Sequence, residues 1–163
     1  DLIMATTLYM LRHAQSRYNA HKIIEKDIDL SELGVEQATS INCDKAFDTV
    51  VCSPLRRCRQ TLELSGIKYK NLIIEPLARE YRYTPCEILP EETFTGQEKK
   101  EEFESRINKL RLRLHEILKT TDSLLLVSHL FVIRQLTSLD SKGEMVKEGI
   151  EPSNGQIYQY ELQ

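Results

Sequence analysis

Five short apolar runs alternate with segments of helical period, and this alternation is the strongest constraint on what the chain can fold into. Thr7 to Leu11 contains Tyr9 among aliphatics, and Asp48 to Cys52 carries the β-branched Val50 and Val51. Leu72 to Ile74, Leu124 to Val127 and Gln156 to Leu162 complete the set, the last preceded by the turn signal Asn154-Gly155. Runs of this length and composition predict buried strands. Between them Ser31 is placed to cap a helix carrying Leu33 and Ala38. Ser53-Pro54 predicts a helix start, Ser as N-cap and Pro at the first helical position, with Gly66 as its stop. Thr95 to Glu98 fits a capping box. Beyond it Phe103, Ile107, Leu110, Leu114 and Ile117 recur at helical spacing. A last helix containing Phe131, Ile133 and Leu136 is expected after Ser128. Strands alternating with helices predict an α/β sheet covered on both faces. Tyr81 to Gln97 is the least regular stretch and reads as a long loop of the kind that covers sites.

The chain has 163 residues, which suits one domain over residues 1–163. Residues 1–6 read as a tag or disordered lead-in, with Met4 as the natural start. No stretch approaches the roughly 20 apolar residues of a membrane span, and no secretory signal is visible. The formal net charge of −3 provides no global field for nucleic acid, so anion binding must come from a local cluster of cations. Cys43, Cys52, Cys58 and Cys86 lack zinc-knuckle spacing and read as ordinary reduced cysteines. No pair of histidines shares a helical face at ligand spacing, so no metal or other cofactor is expected. A cytoplasmic setting follows from these points. Nothing in the sequence fixes an oligomeric state.

Three polar constellations lie just past predicted strands: Arg12-His13, Ser53 to Arg57, and Ser128-His129. In open α/β sheets ligands bind beyond the carboxyl ends of the strands, so these groups are expected to converge on one crevice. Two imidazoles and at least two guanidinium groups favour an anion, and phosphate fits the planar donor fork of arginine best. Neighbouring positive charge biases a histidine toward its neutral, nucleophilic form. His21 and His115 belong to no such constellation and read as surface or core residues. Arg56 and Arg59 read as solvated helix residues, with Arg57 as the phosphate-facing one.

Arg12-His13-Ala14-Gln15-Ser16-Arg17-Tyr18-Asn19 resembles the first signature of the histidine phosphatase (phosphoglycerate mutase-like) superfamily. Leu30 to Ala38, Ser53 to Thr61, Ala78-Arg79-Glu80 and Leu126 to His129 are similar to its later blocks, in family order. The resemblance implies a three-layer α/β/α sandwich with a mixed, mostly parallel sheet. It implies a metal-independent phosphatase acting on a phosphomonoester. His13 would be the nucleophile, Glu80 the proton donor and His129 a further catalytic group. Arg12, Asn19, Arg57 and Ser16 would bind the phosphate. The partner would be a phosphorylated small molecule or a phosphoprotein.

Two positions depart from the pattern: Ala14 stands where the family has glycine, and Leu130-Phe131 where it has a glycine pair. Leu130 either narrows the pocket or turns away from it. A short cover over Tyr81 to Gln97 favours hydrolysis over mutase transfer, which must keep water out. Mutase transfer, phosphohistidine hydrolysis and a weakly active phospho-ligand binder remain as alternatives.

Overall fold

The computed structural model describes residues 6–163, and the expectation for residues 1–5 lies outside the described residues. Thr6 already belongs to the fold, its carbonyl accepting from the Leu162 amide at 2.8 Å. Five strands form one sheet: β1 (Thr7–Arg12), β2 (Phe47–Cys52), β3 (Tyr69–Ile74), β4 (Leu124–Ser128) and β5 (Ile157–Glu161). Their order is β3-β2-β4-β1-β5. The pairs β2–β3, β2–β4 and β1–β4 are parallel, and β5 runs antiparallel against β1.

Register sets the site. Arg12 pairs with Ser128, and Cys52 pairs with both Val127 and Ile74. The strands therefore end level, and His13, Ser53 and His129 all emerge at one carboxyl edge.

The period of two along each strand divides the core. Leu124 and Leu126, with Leu8, Met10 and Val51, pack against α4 (Lys100–Leu118) and α5 (Leu130–Leu136) through Ile107, Leu110, Leu114 and Ile133. Leu125 and Val127, with Leu11, Val50 and Cys52, face Cys58 and Leu62 of α3 (Arg56–Ser65). Residues Leu124 to Val127 are fully buried, and each such side chain contributes about 1.5–3 kcal/mol. That is why a four-residue apolar run suffices to define the central strand. The third layer is completed by α2 (Glu32–Thr39), which lies on α3 and approaches the loop after β1. A Cβ on Gly34 would stand 1.9 Å from the Gln15 carbonyl oxygen, so only glycine fits there.

Several local expectations are corrected. Ser53 does not cap α3; the helix begins at Arg56 with Leu55 as its N-cap, and the Ser53 hydroxyl accepts from the Leu55 amide at 3.2 Å while also bonding His129 Nε2 at 2.8 Å. Gly66 ends that helix as expected, at φ 67°. The Thr95–Glu98 capping box does not form, and α4 starts at Lys100. Glu98 instead accepts from Arg106 and from the Arg82 amide. Ser128 stays in β4 and donates to the Ala78 carbonyl at 2.7 Å, leaving His129 as the N-cap of α5. Leu33 is exposed on α2, whereas Ala38 is buried. A short helix not expected from the sequence pattern, α1 (Arg17–His21), is nucleated by a reciprocal cap between Ser16 and Asn19. Ser31 caps α2 as expected, accepting from the Gly34 amide at 3.0 Å.

Candidate active site

A cleft of about 220 Å³ opens at the carboxyl edge of the sheet. Its walls bring together Arg12, His13, Ser16, Asn19, Arg57 and Glu80. Six of the seven residues singled out by sequence therefore meet in one space. The seventh, His129, does not line it: its ring is fully buried and packs edge-on against His13, with centroids 5.2 Å apart.

His13 is fixed from all sides. Its amide donates to the Ser128 carbonyl at 3.1 Å, and its carbonyl accepts from Asn154 Nδ2 at 2.9 Å. The ring Nδ1 lies 2.6 Å from the Ala14 carbonyl. A carbonyl only accepts, so Nδ1 carries the proton and Nε2 presents its lone pair. That lone pair accepts from Arg57 Nε at 3.3 Å. The His13 pKa is held well below the ordinary imidazole value, first by burial and then by the Arg57 and Arg12 charges. Burial, which the neighbouring sequence does not reveal, is the larger cause. Thr61 couples this loop to α3, accepting from the Ala14 amide at 3.0 Å while donating to the Arg57 carbonyl at 2.7 Å. Ala14 is fully buried at this junction.

Arg12 donates from Nη1 to the Pro152 carbonyl at 3.0 Å, while its buried Nε has no partner among the described residues. Arg57 is buried and committed through three nitrogens. Nε meets His13, Nη1 donates to the Cys86 carbonyl at 3.0 Å, and Nη2 lies 3.5 Å from Glu87 Oε1. Ser16 and Asn19 serve structure and line the cleft together: Ser16 Oγ accepts from the Asn19 amide, and Asn19 Oδ1 from the Ser16 amide, each at 3.0 Å.

Glu80 accepts from the Tyr81 amide at 2.9 Å through Oε1 and from the Phe131 amide at 3.2 Å through Oε2. Burial outweighs both bonds and pushes its pKa up to about 7. The position where the family pattern has glycine thus uses its backbone, since it is the Phe131 amide that holds Glu80. Leu130 lines the cleft and does not turn away from it. His129 Nε2 bonds to Ser53 and lies 3.4 Å from Cys58 Sγ. Burial and then Arg57 lower its pKa well below the usual value, so the ring is neutral.

The structure adds cleft residues that sequence reasoning missed: Tyr18, Lys22, Tyr83 and Glu87. The Tyr18 and Tyr83 hydroxyls meet at 3.0 Å, and Lys22 Nζ sits 4.9 Å from the Tyr18 ring centroid. Glu87 had a legible signal. Thr84 and Glu87 have capping-box spacing, and they form that box around a 3₁₀ turn, Pro85–Glu87.

A mostly parallel sheet with helices on both faces, and an arginine-, histidine- and carboxylate-lined cleft at its carboxyl edge, defines the phosphoglycerate mutase-like class of α/β folds. The chain belongs to the histidine phosphatase superfamily (branch 1), whose family model matches residues 8–101. That span includes His13, Arg57 and Glu80 and stops short of His129. The chain is 41% identical over 64 residues to the broad-specificity phosphatase YOR283W of Saccharomyces cerevisiae, a match that takes in 35% of this chain and 28% of the yeast protein. The chain thus spans under a third of that relative. In fold it is similar to the alpha-ribazole phosphatase of Shigella flexneri, with TM-score 0.69, 21% identity, and 94% of this chain and 89% of that one covered. It is also similar to a phosphoglycerate mutase from Thermus thermophilus, with TM-score 0.65, 23% identity, and 94% and 91% covered.

No described helix is long and apolar enough to cross a membrane.

Proposed function

We propose that this protein hydrolyses a phosphomonoester through a phosphohistidine formed on His13 Nε2. The observation that carries the reading is the pairing of that lone pair with the Arg57 guanidinium in a cleft that also holds a carboxyl raised to about 7. A phosphate oxygen accepting from Arg57 Nε would release the lone pair to attack phosphorus. Arg12 and Arg57 would carry the charge spread over the equatorial oxygens, which is what a loose phosphoryl-transfer transition state requires. No metal is needed for that role. Protonated Glu80 would give its proton to the departing ester oxygen as the phosphorus–oxygen bond breaks. Its carboxylate would then take a proton from water, which attacks phosphorus, breaks the phosphorus–nitrogen bond and leaves neutral His13 and inorganic phosphate. The buried ring of His129 would support His13 from behind. Ser16 and Asn19 would fix the rim of the cleft near the phosphate. The substrate would be a small phosphorylated molecule or a phosphorylated side chain able to enter about 220 Å³. The yeast relative's name and the short Tyr81 to Gln97 cover favour hydrolysis over transfer to a second hydroxyl.

The test is turnover of an aryl phosphate with a chelator present, beside a His13→Ala variant. Turnover by the parent and its loss in the variant are expected, with an acid-labile phosphoenzyme trapped on the parent alone. Equal rates for the two proteins would overturn the assignment.

A further inference from the structure

Glu87 brings a carboxylate into a cleft whose other charged walls are Arg12, Lys22 and Arg57, beside Glu80, whose carboxyl is raised to about 7. It is as buried as Arg57, with side chains 5% exposed for both, and the two lie 3.5 Å apart. A buried carboxylate against the guanidinium that is to bind phosphate competes directly with the ligand. Such a group is costly to keep unless it does something the ligand cannot.

Its surroundings indicate what that is. Glu87 Oε2 accepts from the Thr84 amide at 2.9 Å and from the Thr84 hydroxyl at 2.8 Å, so Oε1 is the oxygen aimed at Arg57. The turn that carries it is pinned from the other side by Arg79, which donates to the Glu87 carbonyl at 2.9 Å and pairs with Glu92. The adjacent Cys86 carbonyl takes Arg57 Nη1. One rigid 3₁₀ turn therefore grips two of the three guanidinium nitrogens and points the third, Nε, at His13 Nε2.

Resting on the reading of His13 as phosphoryl acceptor and Arg57 as phosphate binder, we infer that Glu87 is a positioning residue that aims Arg57 at His13 while weakening the cleft's grip on phosphate. The two effects oppose each other in binding and cooperate in turnover. The charge subtracts from ground-state and product affinity, because inorganic phosphate feels the carboxylate as fully as the substrate does. The geometry favours the transition state, because Arg57 is already oriented and need not be ordered during reaction.

The experiment separates charge from position in two variants. Glu87→Gln removes the charge. Glu87→Asp keeps it and shortens its reach. Affinity for inorganic phosphate and for vanadate is measured by calorimetry on each whole protein, and kcat and KM on an aryl phosphate. In Glu87→Gln, phosphate affinity should rise about fivefold, since a like charge at close range has been removed, while kcat falls about tenfold. In Glu87→Asp, kcat should fall by a similar factor with no gain in phosphate affinity. A purely structural role would weaken binding and turnover together. Phosphate affinity in Glu87→Gln that equals or falls below the parent's overturns the inference. If that variant does not fold, a Glu87→Asp protein turning over at the parent rate overturns it instead. A parent that binds vanadate but shows no turnover would sink the hydrolase reading while leaving the affinity comparison intact.

Discussion

Glu80→Gln tests the site at its most unusual group. The Glu80 carboxyl is raised from an ordinary value of 4.5 to about 7, with burial as the main cause. The folded protein therefore binds more protons at this position than the unfolded chain between those values. Its contribution to stability is intact below about pH 4.5 and is lost as pH rises toward and through 7. The difference corresponds to about 3 kcal/mol by pH 8. Glutamine cannot ionise, so this slope disappears in the variant. A pH-independent offset remains, because one of the two backbone amides from Tyr81 and Phe131 loses its acceptor, at about 1–3 kcal/mol. The diagnostic is thus the change in the stability difference with pH, not its sign at one pH. Urea unfolding of both proteins at pH 5 and pH 8 should show the variant gaining about 2–3 kcal/mol relative to the parent across that interval. In parallel, turnover of an alkyl phosphate should fall by about 10²–10⁴. Loss on a phosphoamidate should be much smaller, because that leaving group needs less help from an acid. The parent's turnover of alkyl esters should decline as pH rises through about 7. Unfolding curves that keep a constant separation from pH 5 to pH 8 would refute the account of Glu80.

Three further outcomes follow from the packing. Gly34→Ala would place a Cβ 1.9 Å from the Gln15 carbonyl; the clash, at about 1–3 kcal/mol or more, outweighs the ~1 kcal/mol gain in helix propensity, so the melting temperature should fall. Leu130→Gly removes a side chain from the cleft wall, and the ratio of kcat/KM for a naphthyl over a phenyl phosphate should rise severalfold; an unchanged ratio would show that Leu130 does not limit the leaving group. Ser53→Ala deprives buried His129 Nε2 of its 2.8 Å partner, and chemical unfolding should report a loss of about 1–3 kcal/mol.

Much of the architecture was legible because it depends on local pattern. The fully buried Leu124 to Val127 could hardly be anything but a central strand, and Phe103, Ile107, Leu110 and Leu114 mark one buried face of a long helix. Polar groups at the ends of these strands foretold where a cleft would open, since parallel strands in register finish at one edge. Helix starts were less legible. Ser53 has the chemistry of an N-cap, yet its hydroxyl takes only the Leu55 amide ahead of the helix and is shared with His129, 76 residues away. Glu98 has the spacing of a capping box, yet the Arg106 guanidinium takes it. A capping residue is chosen by local competition, and a tertiary partner can win that competition without leaving a trace in the neighbouring sequence.

The sequence by itself determined the strand and helix periodicity, the ordered motifs of the superfamily, and which charged and imidazole residues stand at strand ends. Only the tertiary structure decided that His129 lies behind His13 and not on the cleft wall, that the Phe131 backbone holds Glu80, and that a carboxylate from the Pro85–Glu87 turn lies 3.5 Å from Arg57. The reason is range. Periodicity is set by neighbours a few residues apart, whereas burial, tautomer and charge pairing are set by whatever distant segments the sheet brings within about 4 Å.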